Sequence, residues 1–206
     1  MLVRPHYLLK VDPDSMIAAG VPESAQVHLR MSRCVVVRRG AGSEPGIPIG
    51  IRGAERNQRW AALCQPSWIT RVVRPPELLQ SVVPRARSQA VPALRALEIL
   101  KSRWRDRRLV WGPGGSVGFE LATGIPVTSQ TSDLDIIVYA DTPMTKDEAK
   151  LLCDGASDLN VDVDIRVETP RCGFSLREYA RESPAPILLR LPGQVRLGSD
   201  PWGLAE

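Results

Sequence analysis

Two aspartates separated by one leucine could carry metal-dependent chemistry. Asp133 and Asp135 open an apolar run that ends at Tyr139. Side chains two residues apart on a strand point to the same face, so we expect both carboxylates on one face and Leu134 in the core. Adjacent carboxylates repel each other unless a cation lies between them, and Mg²⁺ is commonly bound by one or two carboxylates plus substrate phosphates. The pair predicts a site for Mg²⁺ (or Mn²⁺) that serves transfer of a phosphate-bearing group.

A glycine turn ahead of this pair offers a place for phosphate. Gly114, Gly115 and Ser116 stand at the start of a short helical stretch, where close backbone approach, N–H groups and a hydroxyl suit phosphate oxygens. The turn is neither a Walker A loop nor a dinucleotide fingerprint, because the residues that define those motifs are missing. Most Gly-Gly-Ser turns are only turns. Because this one precedes the aspartates, we predict that Gly115 and Ser116 contact substrate phosphates.

The second half of the chain reads as helices alternating with strands around these motifs. Pro92 suits a first helical turn, and leucines recur every three to four residues from there towards Trp104, which predicts a helix. Thr145 and Glu148 have the spacing of a capping box and predict a helix that continues to about Asp154. Strands are predicted at Leu109–Trp111, Asp133–Tyr139 and Asn160–Glu168.

Residues 1–88 are predicted to form a smaller β-rich domain. A short helix is expected at Glu77–Val82, and the polar stretch 84–91 is the best candidate linker. We therefore place the boundary between residues 88 and 89, with 89–206 as the catalytic domain. The strands predicted from alternation and β-branched runs are Val27–Met31, Cys34–Val37, Ile47–Arg52 and Trp68–Val73.

The composition is that of an ordinary globular protein with an excess of arginine. Hydrophobic residues make up 43% and charged residues 24% of the 206 residues. Without an apolar run of about 20 residues or a signal-peptide core, we expect a cytoplasmic protein that does not enter a membrane. The four cysteines lie far apart and predict free thiols rather than a zinc site.

Arginine is the basic side chain suited to bidentate binding of phosphate and carboxylate. The chain has 27 Lys and Arg, of which 4 are Lys, leaving 27 − 4 = 23 Arg. Arg52, Arg56 and Arg59 would fall on one face if that stretch were helical. Their spacing alone favours a solvated basic face, and the alternative is contact with phosphate or an acidic protein. The basic charge is compatible with nucleic acid, a phosphorylated substrate or an acidic partner, and does not choose among them.

The order Gly-Ser, short helix, Asp-x-Asp and strand resembles the polymerase-β-like nucleotidyltransferase superfamily. The resemblance implies an α+β fold, in which a C-terminal mixed sheet flanked by helices carries the site and the smaller β-rich domain lies N-terminal. It also implies a third carboxylate on a neighbouring strand. We predict Asp162 for this role, and Asp164 is the alternative because strand parity cannot separate the two.

More of the chain is similar to one family, the malonate decarboxylase holo-acyl-carrier-protein synthases, also called phosphoribosyl-dephospho-CoA transferases. The similarity covers most of the chain and is strongest over residues 111–139. It includes His6, and the other segments that carry it are residues 35–39, 50–53, 115–124, 132–135, 161–170 and the terminal Asp-Pro-Trp.

This resemblance implies a specific reaction. Members transfer a prosthetic group from 2′-(5″-triphosphoribosyl)-3′-dephospho-CoA to a serine of an apo acyl carrier protein and release pyrophosphate. Asp133, Asp135 and Asp162 would then be catalytic metal ligands, with Asp162 also helping to deprotonate the serine. Gly115 and Ser116 would hold phosphates. Arg190 is a further candidate phosphate contact, although a surface salt bridge would equally explain it.

The N-terminal domain would contact the substrate or the carrier. Such carriers are typically acidic, which the arginine excess complements.

Two other functions remain to be weighed. Another Mg²⁺-dependent nucleotidyltransferase could use ATP on a protein or small molecule, because Gly-Ser and Asp-x-Asp bind a triphosphate whatever the acceptor. A non-catalytic nucleic-acid-binding module ranks last. The acidic positions are all present, and no aromatic ribonucleoprotein motif occurs, so nucleic acid is not expected as a partner.

Overall fold

The computed structural model describes residues 3–40, 45–53, 55, 58–182 and 185–203. These residues form a mixed α+β structure with two β-sheets. In the described ranges, no helix is both long and apolar enough to cross a membrane.

The N-terminal sheet has five antiparallel strands in the order β4-β3-β2-β1-β5. One face is covered by two helices, because Ala25 and Leu29 share a buried cluster with Leu9, Val35 and Ile49. A 3₁₀ helix at Pro66–Trp68 joins the last two strands. The elements are β1 (Leu8–Val11), α1 (Pro13–Ala18), α2 (Glu23–Ser32), β2 (Cys34–Val37), β3 (Ile47–Arg52), β4 (Arg59–Cys64) and β5 (Ile69–Val73).

The C-terminal sheet has six strands in the order β11-β10-β9-β8-β7-β6. Of the pairings within the described residues, only that between β7 and β8 is parallel. The strands are β6 (Val110–Pro113), β7 (Leu134–Tyr139), β8 (Val163–Glu168), β9 (Gly173–Ser175), β10 (Ile187–Leu191) and β11 (Gln194–Gly198).

Five helices accompany this second sheet. The longest packs its leucines, among them Leu97 and Leu100, against Leu134 and Ile136 of β7, as the leucine spacing predicted. The predicted capping box is confirmed, since Thr145 N donates to Glu148 Oε2 at 2.8 Å and Glu148 N donates to Thr145 Oγ1 at 3.1 Å. The helices are α3 (Arg85–Ala90), α4 (Pro92–Arg103), α5 (Gly115–Thr123), α6 (Lys146–Asp154) and α7 (Leu176–Tyr179).

The two sheets meet through a small apolar cluster and a polar seam. Leu8 and Cys34 of the first sheet pack with Phe119 of α5. At the other end of the contact, the Tyr139 hydroxyl donates to Pro5 O at 3.1 Å and Arg4 pairs with Asp141 at 2.7 Å. A cleft remains between the two ends, and the candidate site lies in it.

One strand prediction was wrong. Val27–Met31 lies in helix α2, where Ala25 and Leu29 are buried and Val27 and Met31 are exposed. The two exposed apolar side chains resemble the alternation of a strand. The short helix predicted at 77–82 is present as a 3₁₀ helix that begins and ends two residues earlier, at Pro75–Gln80.

The stretch 84–91, predicted as a linker, contains helix α3, which packs on α4. The proposed boundary between residues 88 and 89 stays a prediction.

Candidate active site

The glycine turn is pressed against one carboxylate. Gly115 begins α5 with φ of +52°, a left-handed conformation that favours glycine. A Cβ built on Gly115 would overlap Asp135 Oδ2, and Gly114 N donates to Asp135 O at 2.9 Å. The turn therefore reaches the strand only because its second glycine has no side chain, and it sets the first turn of α5 beside the aspartates.

Three carboxylates gather at the amino end of the parallel strand pair. Asp133 immediately precedes β7, Asp135 lies within it, and Asp164 of β8 is the register partner of Asp135. Burial is the main cause that raises the pKa of Asp135, and the negative charges of Asp133 and Asp164 raise it further. Arg166 and His6 act in the opposite direction. A cation bound here would reduce the repulsion between these negative charges.

Asp162 does not join this group. Its side chain is 79% exposed and lies 3.5 Å from Arg177, whereas that of Asp164 is 39% exposed. Asp162 lines a separate cavity together with Cys153 and Arg177. Because β8 begins after Asp162, strand alternation does not fix the direction of its side chain. Asp164, the alternative, lies beside Asp135, where its carboxylate pairs with Arg166 at 3.0 Å.

Arg190 lies on β10, away from the carboxylates. It is the register partner of Gly173, which pairs with Glu168 of β8. Glu168 pairs with Tyr139 at the far end of β7 from Asp135. The structure therefore does not bring Arg190 to the cleft.

The cleft has a larger and a smaller part. The larger, of about 530 Å³, lies between the N-terminal sheet and α5 and is lined by apolar residues and by His6, Arg38, Arg52, Arg59, Asp135 and Arg166. The smaller, of about 230 Å³, is lined by Arg52, Arg59, Ser116, Val127, Ser129, Thr131, Ser132, Asp133 and Asp135. Both parts contain guanidinium groups beside the carboxylates, an arrangement suited to a polyphosphate and its metal ion.

The arginines reach the cleft from strands rather than from a helix. Arg52 ends β3 and Arg59 begins β4, and the two are register partners across a hairpin. The helical face imagined for them is therefore wrong, although their proximity is real. Arg56 lies outside the described residues.

A partly buried ion pair holds the loop that leads to Asp133. Arg87 of α3 donates to Glu120 of α5 at 2.9 and 3.0 Å. Glu120 Oε2 also accepts from the backbone N–H groups of Val127 and Thr128 at 2.9 and 2.8 Å. Burial alone would raise the pKa of Glu120, but the hydrogen bonds from Thr128 and Arg87 outweigh it and lower that pKa. The loop that carries the cleft hydroxyls is thus anchored to α5.

His6 enters the cleft from the N-terminal domain. Its φ of +71° is unusual for a residue with a side chain, and His6 N donates to Val37 O at 2.9 Å. The ring Nε2 lies 3.0 Å from Oε1 of the buried Glu168, which also pairs with Arg39. His6 and Arg39, which flank the first strands of the N-terminal sheet, thus both contact one carboxylate of the C-terminal sheet.

The residues that sequence reasoning missed are of two kinds. Arg38 and Arg166 lie in two of the segments that carry the family resemblance, but in a chain rich in arginine no local pattern marks them as cleft residues. Glu120 interrupts an apolar stretch, and an acidic residue inside a buried element needs a partner. That signal could have marked Glu120 as an anchor, whereas Glu168 ends a segment that alternates charged and apolar residues and does not stand out.

The donor set suits a hard cation that shares its coordination with substrate. In the described part of the chain, no group of three or more His, Cys, Asp or Glu side chains is placed to hold a metal ion by itself. Mg²⁺ is usually bound by one or two carboxylates plus substrate phosphates rather than by a cage of protein ligands. Asp133 and Asp135, with Asp164 adjacent, fit that mode.

Comparisons with known proteins agree over the whole chain. Residues 4–75 match the family described as phosphoribosyl-dephospho-CoA transferase MdcG N-terminal domain, and residues 78–201 match the corresponding C-terminal domain. No solved structure matches the chain.

Proteins named phosphoribosyl-dephospho-CoA transferase are similar from end to end. One from Pseudomonas syringae pv. tomato is 38% identical over 208 residues, covering 100% of this chain and 96% of that protein. One from Pseudomonas aeruginosa is 35% identical, with 98% and 95% covered, and one from Klebsiella pneumoniae is 34% identical, with 98% of each covered. The chain therefore belongs to the phosphoribosyl-dephospho-CoA transferase family, a family of transferase enzymes.

Proposed function

We propose that this protein transfers the phosphoribosyl-dephospho-CoA group from 2′-(5″-triphosphoribosyl)-3′-dephospho-CoA to a serine of the apo acyl carrier protein of malonate decarboxylase. The observation that carries the proposal is the contact of Gly115 with Asp135, beside Asp164, in a cleft bordered by arginines. The identity of the transferred group rests on the name of the family to which the chain belongs. The carrier rests on the resemblance of the motifs, and its acidic character would suit the basic cleft mouth.

The residues of the cleft fit the steps of this reaction. Ser116 and the first N–H groups of α5 would hold phosphate oxygens, and Arg52 and Arg59 would bind the triphosphate through their guanidinium groups. The carrier serine Oγ attacks the phosphorus nearest the ribose. The bond from that phosphorus to the oxygen that it shares with the next phosphate breaks, and pyrophosphate leaves. We propose Asp164, in place of Asp162, as the carboxylate that accepts the serine proton.

Asp133 and Asp135 would hold Mg²⁺ or Mn²⁺. When bound, such an ion neutralises phosphate charge and stabilises the leaving pyrophosphate. The four cysteines are free thiols in the structure, which fits the reducing cytoplasm proposed as the site of action.

Pyrophosphate release tests this proposal against its alternative. The assay contains the protein, Mg²⁺, the triphosphoribosyl donor and apo carrier, with a carrier whose acceptor serine is replaced by alanine as control. We expect release only when donor and serine-containing carrier are both present. Equal release from ATP, without need of the donor, would instead favour an ATP-dependent nucleotidyltransferase.

A further inference from the structure

A row of small side chains crosses the N-terminal sheet where it faces the cleft. Val36, Gly50 and Ala61 are register partners on β2, β3 and β4, and all three line the larger part of the cleft. We call this row the platform. Its side chains are an isopropyl group, a hydrogen and a methyl group, and the aliphatic stem of Arg38 lies over Gly50, with its Cδ 3.4 Å from where a Cβ would stand.

The opposite side of the cleft is also apolar. Phe119 of α5 and Ile137 of β7 line the same space. Phe119 packs with Leu8 and Cys34 of the first sheet, and the guanidinium carbon of Arg52 lies 5.6 Å from the centroid of its ring. A space bordered by small apolar side chains and by a guanidinium group suits a planar heterocycle, because both kinds of group pack against the face of such a ring.

Arginines lie at both ends of the platform. Because strand side chains alternate, Arg52 and Arg59 share the face of Gly50 and Ala61, two positions further along. Arg38 stands two positions from Val36 in the opposite direction, next to β2. Arg38 and Arg59 are exposed, so their charge is available to an anionic ligand at either end.

The smaller part of the cleft differs in character from the platform. Its lining is rich in hydroxyl groups and shares Arg52, Arg59 and Asp135 with the larger part. The cleft therefore runs from a hydroxyl-lined and carboxylate-lined end, through a pair of arginines, across an apolar strip to Arg38. A ligand that spans it has a polyphosphate, then a planar ring, then a second anionic group.

We infer that the platform binds the adenine ring of the donor, with Arg38 at the diphosphate on its far side and the triphosphate in the hydroxyl-lined part. This rests on the proposed function. In that donor the triphosphate is joined through one ribose to adenosine, which bears the diphosphate and the pantetheine arm. The order of chemical groups along the donor thus matches the order along the cleft. The N-terminal domain then selects the donor, while the C-terminal domain carries out transfer.

Calorimetric binding of dephospho-CoA without metal tests the platform separately from catalysis. This probe has the adenine and diphosphate but no triphosphate. We expect ADP to compete with it and pantetheine not to. Filling the platform by Gly50→Val or Ala61→Leu should weaken binding about tenfold or more, since apolar contact with the ring is lost, and Arg38→Ala should weaken it as well. Thr70→Leu, which adds similar bulk at an exposed position of β5, should change it less than about twofold.

Folding is checked for each variant by near-ultraviolet circular dichroism. A Cβ at Gly50 meets only the Arg38 side chain and Val36 O, at 3.4 Å and beyond, so Gly50→Ala serves if the valine variant does not fold. The inference is overturned if the wild-type protein does not bind dephospho-CoA, if pantetheine competes as well as ADP, or if the folded platform variants bind like the control. Those results would leave carrier modification by the wild-type protein, and hence the proposed function, standing. Absence of carrier modification despite ADP-sensitive binding would contradict the proposed function alone.

Discussion

Asp135 and Asp164 are register partners on the parallel strands β7 and β8, so two carboxylates lie side by side where these strands begin. We predict that Asp164→Asn lowers the rate of transfer at least about a hundredfold, because a charge needed at the phosphates or for the serine proton is lost. Asp162→Asn is the matched control, since Asp162 is exposed and pairs with Arg177. Its rate should stay within a few-fold of the wild type. The reverse pattern of initial rates would restore Asp162 as the third carboxylate.

Two glycines with positive φ lie at opposite ends of α5 and allow a paired test. Gly115→Ala places a Cβ on Asp135 Oδ2, whereas a Cβ at Gly124 has nothing within 4 Å. Both changes strain the backbone by about 1 kcal/mol. Only Gly115→Ala should also displace the carboxylate and abolish most transfer activity.

Urea unfolding and initial rates, measured on both variants, separate the effect of backbone strain from that of displacing the Asp135 carboxylate. Similar losses of activity in the two variants would show that strain alone matters, and would contradict the role given to the close approach at Gly115.

Loss of the Arg87–Glu120 ion pair should lower the stability of the fold, although neither residue is one of the cleft carboxylates. Glu120→Ala removes the acceptor of two backbone N–H groups and leaves Arg87 without its carboxylate. We expect the free energy of unfolding to fall by about 2–3 kcal/mol, which allows for the partial exposure of Arg87.

Glu98→Ala, which breaks an exposed pair with Lys101, should cost less than about 1 kcal/mol. Equal costs in the two variants, measured by urea unfolding, would mean that the Glu120 network does not anchor the loop.

The Glu168 carboxylate predicts a pH dependence of stability. Burial would raise its pKa, but the hydrogen bond and charge of His6 and the charge of Arg39 outweigh burial and hold the pKa below its usual 4.5. A lowered pKa in the folded state means that the carboxylate stabilises the fold above about pH 4.5 and that this contribution is lost as the pH falls below that value.

The measurement is the difference in unfolding free energy between the wild-type protein and Glu168→Gln across pH 3 to 7. We expect the advantage of the wild-type protein over Glu168→Gln to shrink as the pH falls below about 4.5. An advantage that does not change with pH would contradict an ionised, paired Glu168.

The sequence was most informative where one local rule acts alone. The capping box at Thr145, the leucine repeat of α4 and the burial of Leu134 depend on short-range geometry, and the structure has each of them. Parity along one strand predicted that Asp133 and Asp135 share a face. Asp133 precedes β7 in the structure, and both residues line the smaller part of the cleft; their role as metal ligands stays a prediction.

The remaining features depend on contacts between distant segments. Asp164 can be chosen over Asp162 only when the residue at which β8 begins and the register of β8 with β7 are known. No local sequence pattern gives either of these. The contribution of His6 depends on Glu168, more than 160 residues away along the chain. Val27 and Met31 resemble strand residues in the sequence because exposed apolar side chains follow no structural period.

The intact mass of the apo carrier, measured after incubation with this protein, Mg²⁺ and the triphosphoribosyl donor, tests the proposed transfer itself. We predict that the carrier gains the mass of one phosphoribosyl-dephospho-CoA group with the wild-type protein and with Asp162→Asn. It predicts almost no gain with Asp135→Asn or Asp164→Asn. An unchanged carrier mass with the wild-type protein, or a full gain with Asp135→Asn, would contradict it.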